Sequence, residues 1–167
     1  RTSEKWKTNM GVDSTRGEVL TFDGDIFPSY YHATCGGFTE DASNLWKIDL
    51  APLKGVECAF CKKAKHYRWR AKVSLNDIES ALEKAGIKDA KDIISIEIES
   101  RNRSNRINNL VIKTAAGAVT VAGKDFRLAV GPNKLRSNNY EVNVENGQAV
   151  FNGTGWGHGV GMCQWGA

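Results

Sequence analysis

The residues with the most chemistry in this sequence are concentrated at its C-terminal end, residues 155–167, which read GWGHGVGMCQWGA. An imidazole, a thiol, an amide and two indole rings alternate there with glycines. Glycine adds no side chain to a core and readily adopts positive φ angles, so such a run suits tight turns and close backbone contacts. The mixture predicts a shallow polar groove rather than part of a hydrophobic interior. A glycine-rich tail or a stack of tight β-turns is the alternative.

A second group of reactive side chains is formed by Cys58 and Cys61, which are separated by two residues. Two thiols at this spacing can bind one tetrahedral metal ion from a single turn, and the same spacing permits a redox disulfide. A redox role is typical of a thioredoxin-like βαβ context, which the sequence does not show. Because this motif supplies only two ligands, a zinc site would need further ligands from elsewhere in the chain.

The N-terminal part of the sequence predicts a β-hairpin that presents a third chemical group. Residues 17–22 alternate apolar and polar side chains and lead into an Asp-Gly pair, a favoured hairpin turn. Residues 26–32 form the predicted return strand, in which Pro28 indicates an edge or a bulge. His32 then lies at the strand end, before a flexible loop, where rigid scaffolds commonly hold functional groups. A purely structural, hydrogen-bonded His32 is the alternative.

The middle of the chain predicts the elements that hold these groups in place. One amphipathic helix is expected over residues 72–86, with Ser74 as its N-cap and Gly86 at its end. A half-buried strand is expected over residues 94–99, where isoleucine alternates with serine and glutamate. The polar turn at 101–106, RNRSNR, is expected to be a solvated hairpin tip, and contact of its charge with an anionic polymer is the alternative.

The C-terminal half predicts further hairpins and a short helix, so the expected fold is α+β. Its main part is a set of antiparallel β hairpins, with one clear amphipathic helix and a short second helix. The additional elements are strands at 110–112 and 119–121, the short helix at 123–130, and a last hairpin of 140–144 with 149–151.

Composition excludes several classes of function. The 167-residue chain is 41% hydrophobic and 25% charged, as is usual for globular proteins. It has no apolar run long enough to span a membrane, and no signal peptide is expected in it. The net charge of +4 suits an anionic polymer. Nucleic acid is not favoured as a partner, because no arginine-rich stripe is interleaved with aromatic residues.

Three segments, in order, carry a resemblance to a known family. Residues 155–167 are similar to the terminal motif of the stage II sporulation protein D family, a group of bacterial cell-wall proteins. YHATCGGFTEDA at 31–42, followed by Trp46, is similar to the central motif, and DFRLAVGPNKLRS at 125–137 is similar to a third recurrent segment. The resemblance implies a single domain over residues 1–167. That domain is expected to lack the family's N-terminal catalytic segment and its C-terminal end.

The resemblance implies action on peptidoglycan glycan strands outside the cytoplasm, in the cell envelope. Members related to the sporulation protein are lytic transglycosylases, which cleave between N-acetylmuramic acid and N-acetylglucosamine without water. This reaction needs one carboxyl group with a raised pKa, acting first as acid and then as base. The family's catalytic glutamate is expected in the full-length protein and not in this chain. The alternative is a non-catalytic peptidoglycan-binding module, an amidase enhancer that works with a cell-wall amidase.

The resemblance also implies which residues touch the glycan. Imidazoles are expected to bind sugar hydroxyls or N-acetyl groups, and Trp156 or Trp165 is expected to offer a stacking face. Glu40 and Asp41 are expected to hold the central loop by capping a short helix rather than to act in catalysis. The full substrate-binding set is His32, Gly36, Gly37, Trp156, His158 and Gln164.

The matched motifs contain the other two cysteines, Cys35 and Cys163, which the family fold should bring together. A structural zinc site of Cys35, Cys58, Cys61 and Cys163 is therefore expected, with His66 or His32 as an alternative ligand. Disulfides remain open as well, because they persist outside the cytoplasm, and so do unpaired thiols. No other cofactor is expected.

Overall fold

Two three-stranded antiparallel sheets form the larger part of the fold in the computed structural model, which describes residues 5–167. The strand orders are β4-β9-β8 and β5-β6-β7. The α+β class and the mainly antiparallel pairing predicted from the sequence are confirmed. The elements are α1 (Trp6–Ser14), β1 (Thr21–Phe22), β2 (Asp25–Ile26), β3 (Tyr31–His32), α2 (Ser43–Trp46), β4 (Arg68–Ser74), α3 (Leu75–Lys84), β5 (Ile93–Arg101), β6 (Ile107–Thr114), β7 (Gly117–Ala122), α4 (Gly123–Val130), β8 (Tyr140–Glu145), β9 (Gln148–Thr154) and β10 (Met162–Cys163).

The main hydrophobic core lies between these two sheets and helices α3 and α4. Its largest fully buried side chains include Phe126 of α4, Tyr140 of β8 and Phe151 of β9. Ring pairs with centroids 5.3–6.2 Å apart connect the three aromatic residues. Because both helices place an apolar face on this core, the sheets and helices form one packed body.

Local signals predicted several boundaries well. The Ser74 hydroxyl accepts a hydrogen bond from the Asp77 N–H and caps α3, as expected. The helix begins at residue 75 rather than 72, because residues 72–74 are paired with β9 in the sheet. The short second helix covers 123–130, and Asn146 and Gly147, both with positive φ, form the predicted turn between β8 and β9.

The predicted hairpin across Asp23 and Gly24 is present, but its return strand is much shorter than residues 26–32. Strand β2 ends at Ile26, and Pro28, which has no N–H to donate, lies in the segment that follows. Strand β3 then pairs in parallel with β10 at the other end of the chain. Helix α1 was not anticipated; it buries none of its residues, so it has no apolar stripe that a sequence pattern could reveal. Helix α2 is the short helix expected after Glu40 and Asp41.

A β-bulge changes the predicted inward face of β5. The pairing with β6 shifts register between Ile93 and Ser95, so Ile93 is buried while Ile94 is 62% exposed. Ile96 still points into the core, as the alternation predicted. The extra residue at the bulge is what moves Ile94 to the solvent face.

Within residues 5–167, no helix is both long and apolar enough to cross a membrane.

Candidate functional site: a four-cysteine cluster with adjoining clefts

The segments 31–42 and 155–167 run side by side, which brings the central and terminal motifs together. Strands β3 and β10 pair so that His32 lies opposite Cys163. Backbone hydrogen bonds link Thr34 and Trp156 in both directions, and the Glu40 N–H donates to the Gly159 carbonyl at 2.8 Å. The two motifs therefore share one backbone network rather than two separate loops.

The glycines of the terminal motif allow this close approach. Gly155 has φ +82°, and a Cβ there would lie 2.8 Å from the Thr34 carbonyl oxygen. Gly161 has φ +73°, and a Cβ there would lie 2.1 Å from the Tyr30 carbonyl oxygen. Both positions need a residue that tolerates positive φ and adds no side chain, which is why the motif is dense in glycine.

Four buried sulfur atoms lie at the centre of this arrangement. The Sγ atoms of the four cysteines all lie within 4.8 Å of one another, and those of Cys35 and Cys61 are 3.2 Å apart. None of the four thiols is in a disulfide. A tetrahedral zinc site with Zn–S distances of about 2.3 Å needs sulfurs about 3.8 Å apart. The cluster is thus close to the size that a tetrahedral metal site requires, and it could hold a metal ion.

Backbone amides donate to the sulfurs, as they commonly do around metal-bound thiolates. The Cys35 N–H donates to Cys163 Sγ at 3.3 Å, and the Gly37 N–H donates to Cys35 Sγ at 3.4 Å. Gly166 packs directly against the cluster, since a Cβ there would lie 2.9 Å from Cys58 Sγ. These contacts are of the kind that stabilises negative charge on the sulfur atoms.

The acidity of the thiols depends on their neighbours. Burial raises the pKa of Cys35 and of Cys163 above the ordinary cysteine value. Burial also acts to raise the pKa of Cys61, but hydrogen bonds from Cys35 and nearby backbone groups outweigh it and lower that pKa. Several thiolates in one buried place would repel one another, so a bound cation would favour their joint ionisation.

The four-sulfur group is complete without either histidine proposed as an alternative ligand. His66 lies instead beside Arg136, whose Nη1 donates to His66 Nδ1 at 2.9 Å, and its ring packs edge-on against Trp156 at 4.6 Å. Burial and the Arg136 charge lower the pKa of His66. The structure therefore groups His66 with Trp156 and Arg136 rather than with the sulfurs.

His32 lies beneath the surface, only 4% exposed. Burial, with smaller contributions from the charges of Arg106 and His158, lowers the pKa of His32 to about 4, although its bond to Val160 acts in the opposite direction. The ring is therefore neutral at pH 7, and because a carbonyl only accepts, Nδ1 carries the proton and donates to the Val160 oxygen at 3.1 Å. Nε2 is buried and has no partner among residues 5–167.

His158 is half-buried and lines a cleft of about 270 Å³ between α2 and α4. Its Nδ1 accepts from the Val160 N–H at 3.1 Å, so the neutral ring carries its proton on Nε2. Trp46 packs against it with ring centroids 5.0 Å apart. Burial, and then the charges of Arg106 and Arg127, lower the pKa of His158. A backbone contact with Tyr31 acts on this pKa in the opposite direction, so both ring nitrogens lie next to backbone groups.

The Glu40 carboxylate is buried and fully engaged in hydrogen bonds. Oε1 accepts from the Asp41 N–H and the Asn44 amide, at 2.9 and 2.7 Å. Oε2 accepts from the Asn102 amide and the Ser104 hydroxyl, both at 2.8 Å. With four donors around it, this carboxylate ties the central motif to the turn after β5.

Asp41 holds the start of α2, where its Oδ1 accepts from the backbone N–H and the hydroxyl of Ser43. Burial acts to raise the pKa of Asp41, but the Ser43 hydrogen bonds and the Lys54 ammonium outweigh it, so the pKa lies below its ordinary value. The N-cap of α2 is Ala42, and Asp41, one residue before it, ties the loop to the first residue of the helix.

The expectation of a solvated hairpin tip at 101–106 is wrong. Ser104 and Arg106 are each only 3% exposed. Arg106 donates to the Phe38 and Cys35 carbonyls, at 3.0 and 2.8 Å, so it clamps the loop that carries Cys35. The sequence missed this role because polar residues between two strands are typical of an exposed turn, and no local pattern shows that their partners lie in another loop.

The six predicted substrate-binding residues do not share a single cleft. Gly36 and Gly37 line a different cleft, of about 410 Å³, beside the turn after β5. The Arg136 guanidinium covers Trp156 at 4.9 Å, and Gln164 is exposed. His32 lies below the surface and His158 lines the smaller cleft. Trp165, the alternative stacking residue, is 56% exposed.

Comparison with known proteins gives a consistent family. Residues 51–161 match the family described as "Domain of unknown function (DUF8618)". The chain is 32% identical over 97% of its length to an uncharacterized protein of Brachyspira hyodysenteriae, covering 42% of that protein. It is 28% identical over 96% of its length to "Stage II sporulation protein D" of Bacillus amyloliquefaciens, covering 44% of it.

A more distant relative has a different name. "Amidase enhancer" of Bacillus subtilis is 22% identical over 96% of the chain, which covers 29% of that protein. The chain thus spans less than half the length of these curated relatives.

Proposed function

The chain belongs to the DUF8618 family and fits a family like that of stage II sporulation protein D, and from this we propose that it has a role at the bacterial cell wall. Its proposed substrate is the glycan strand of peptidoglycan, and its proposed location is outside the cytoplasm, in the cell envelope. In the full-length protein the activity is lytic transglycosylation. The observation that carries the proposal is the joining of the two motifs, 31–42 and 155–167, beside clefts lined by imidazole, indole and polar groups.

The contribution of this chain to the reaction is substrate binding. A general acid must reach the oxygen of the scissile bond with a proton to donate. Glu40 is 2% exposed and accepts four hydrogen bonds, so it has neither access nor a free position for that role. The general acid is accordingly proposed to come from a part of the full-length protein outside residues 5–167.

The cysteine cluster is proposed to hold a structural zinc ion. Cys35, Cys58, Cys61 and Cys163 come from three separate stretches of chain, and bound zinc would supply the link that fixes those stretches to one another. The Arg106 clamp and the N–H···S hydrogen bonds orient the loop around Cys35. This role is structural, because the sulfurs are buried and all four positions of a tetrahedral ion would be filled by protein.

Binding and product analysis test the proposed function. The chain is expected to bind purified, uncross-linked glycan strands in a direct binding assay. The full-length protein is expected to release fragments with 1,6-anhydro ends, detected by mass spectrometry, and the chain alone is expected to release none. Failure of both proteins to bind glycan strands would contradict a peptidoglycan role.

The alternative is a non-catalytic module that assists a cell-wall amidase, and it is favoured by the similarity to a protein named "Amidase enhancer". In that case the full-length protein would bind glycan and raise the rate of a purified cell-wall amidase, but would leave no anhydro ends. The same mass-spectrometric assay, run with and without the amidase, separates the two functions.

A further inference from the structure

The cleft beside His158 has an electrostatic character that glycan binding alone does not require. Its charged lining side chains are all cationic: Arg106, Lys124 and Arg127. No aspartate or glutamate lines it in the described part of the chain. Burial, and after it the charges of Arg106 and Arg127, lower the pKa of His158. A neutral sugar would not need three cations around it.

Two backbone carbonyls fix the Arg127 guanidinium and leave one of its nitrogens without a partner among the described residues. Its Nε donates to the Leu135 carbonyl at 2.8 Å, and its Nη2 donates to the Arg136 carbonyl at 2.9 Å. Nη1 makes no hydrogen bond to any residue between 5 and 167. A guanidinium fixed in this way loses little side-chain entropy when it binds an anion.

Arg106 adds a second cation to the lining of the cleft. The side chain is 3% exposed, and the Glu40 carboxylate, which favours its charged form, lies outside the cleft lining. Arg106 therefore contributes a fixed positive charge to the cleft rather than a free donor. Lys124, exposed at the start of α4, forms no ion pair within residues 5–167 and remains free to approach a ligand.

The cleft also has an apolar part to its lining. Trp46 is 40% exposed and Leu128 is 61% exposed, and the Trp46 ring also packs on Tyr30 with centroids 4.6 Å apart. An aromatic ring and several cations lining one cleft suit a ligand with both an apolar ring face and a negative charge. The volume of about 270 Å³ fits one sugar ring with its substituent rather than a length of polymer.

We propose that this cleft is a subsite for a carboxylate-bearing sugar, in which the ring lies on Trp46 and the carboxylate is bound by Arg127 and Lys124. The proposal rests on the proposed function, because in a glycan strand this ligand is the muramic acid residue. Its carboxylate has two sources, the lactyl group of a bare strand or a carboxylate of an attached stem peptide. The chemistry of recognition is the same for both.

Titration of matched oligosaccharides tests the subsite. The ligands are a bare tetrasaccharide of alternating N-acetylglucosamine and N-acetylmuramic acid, its stem-peptide form, the methyl esters of both, and a neutral tetramer of N-acetylglucosamine. A charge-assisted contact predicts that a free-carboxylate ligand binds about tenfold more tightly than its own ester, with the difference shrinking as salt rises. The bare or peptide-bearing ligand that loses affinity on esterification identifies the source of the carboxylate.

Two charge reversals provide matched variants. Lys124→Glu is expected to remove most of the preference for the free acid over its own ester. Glutamate in the first turn of a helix is favourable, so α4 should still form. Lys88→Glu makes the same charge change at an exposed lysine outside the cleft lining and should keep the preference.

The outcomes separate this inference from the function on which it rests. Equal binding of acids, esters and the neutral tetramer would overturn the carboxylate subsite and leave glycan binding intact. An unchanged acid preference in Lys124→Glu would also overturn it. No binding of any saccharide would contradict the proposed function itself.

Discussion

The sheet region and the motif region of this molecule are stabilised in different ways. The sheet region, β4–β9 with α3 and α4, has a core of seventeen buried hydrophobic residues. The motif region, residues 31–67 with 155–167, has short elements and two small clusters, one of four cysteines and one around Ala42, Leu53 and Val160. Apolar burial dominates the first region. Specific hydrogen bonds, buried polar groups and sulfur contacts dominate the second.

Because of this difference, we expect changes in the two regions to act on the molecule in different ways. A change in a packed apolar core lowers the stability of the whole fold, whereas a loop network depends locally on each of its hydrogen-bond partners. The cleft beside His158 lies where the two regions meet, with Trp46 and His158 from the motif region and Lys124 and Arg127 from α4. We therefore expect changes at the cysteine cluster to loosen the motif region locally, and changes in the sheet core to act on the whole fold.

The largest expected effect comes from removing the metal or one of its ligands. Structural zinc typically contributes on the order of 10 kcal/mol of apparent binding free energy, which is also folding free energy. Cys61→Ser, or a strong chelator, should abolish amide protection in the motif region while β4–β9 keep theirs. Hydrogen exchange followed by mass spectrometry resolves the two regions. Uniform protection in both regions after chelation would show that the cluster does not hold the loops.

A cavity in the sheet core should lower the stability of the whole fold without releasing the metal. Phe151 is fully buried, and Phe151→Ala should lower the free energy of unfolding by about 3–5 kcal/mol. Metal content per folded chain should not change. Urea denaturation measures the first quantity and elemental analysis the second. Loss of metal in this variant at low denaturant would mean that the two regions are not separable.

The pH dependence of stability should depend on His32. Its folded-state pKa of about 4 lies below the ordinary value of 6.5, so the unfolded chain binds this proton first as pH falls. Stability from this source is intact above about pH 6.5 and is lost between about pH 6.5 and 4, by up to roughly 3 kcal/mol. His32→Gln should flatten this part of the stability profile, measured by urea denaturation at several pH values. An identical profile in wild type and variant would exclude His32 as the source.

A smaller effect is expected from Glu40→Gln, which keeps the shape of the side chain. The glutamine NH₂ would face two donors that now meet a carboxylate oxygen, at a cost of about 1–3 kcal/mol. Ser43→Ala, which removes only a solvent-exposed hydroxyl bonded to Asp41, is the matched control with a lesser effect. Equal destabilisation by the two changes would contradict a central role for the Glu40 network.

The sheet region could be predicted well because its signals are local. Ser74, the helix at 123–130 and the turn at Asn146 all follow from side chains that act on their own backbone. The bulge at Ile94 could not be predicted, because a bulge depends on the partner strand. For the same reason the sequence did not predict that residues 31 and 32 form a separate strand, since the partner of β3 lies about 130 residues away in the chain.

The sequence identified the segments of the motif region but did not predict the contacts that join them. The resemblance marked residues 31–42 and 155–167, and the structure brings these segments together with the four cysteines. Nothing in the sequence pattern indicated that Arg106 and Ser104 turn inward to meet them. Buried polar networks join distant segments through particular atoms, and no periodicity records such pairings.

Metal content of the native protein tests the account most directly. Elemental analysis should find about one zinc ion per chain, and all four thiols should react after denaturation with a chelator. That result would establish that the motif region is assembled around a metal. Absence of metal, with fewer than four reactive thiols, would mean that disulfides hold these loops and would contradict the proposed zinc site.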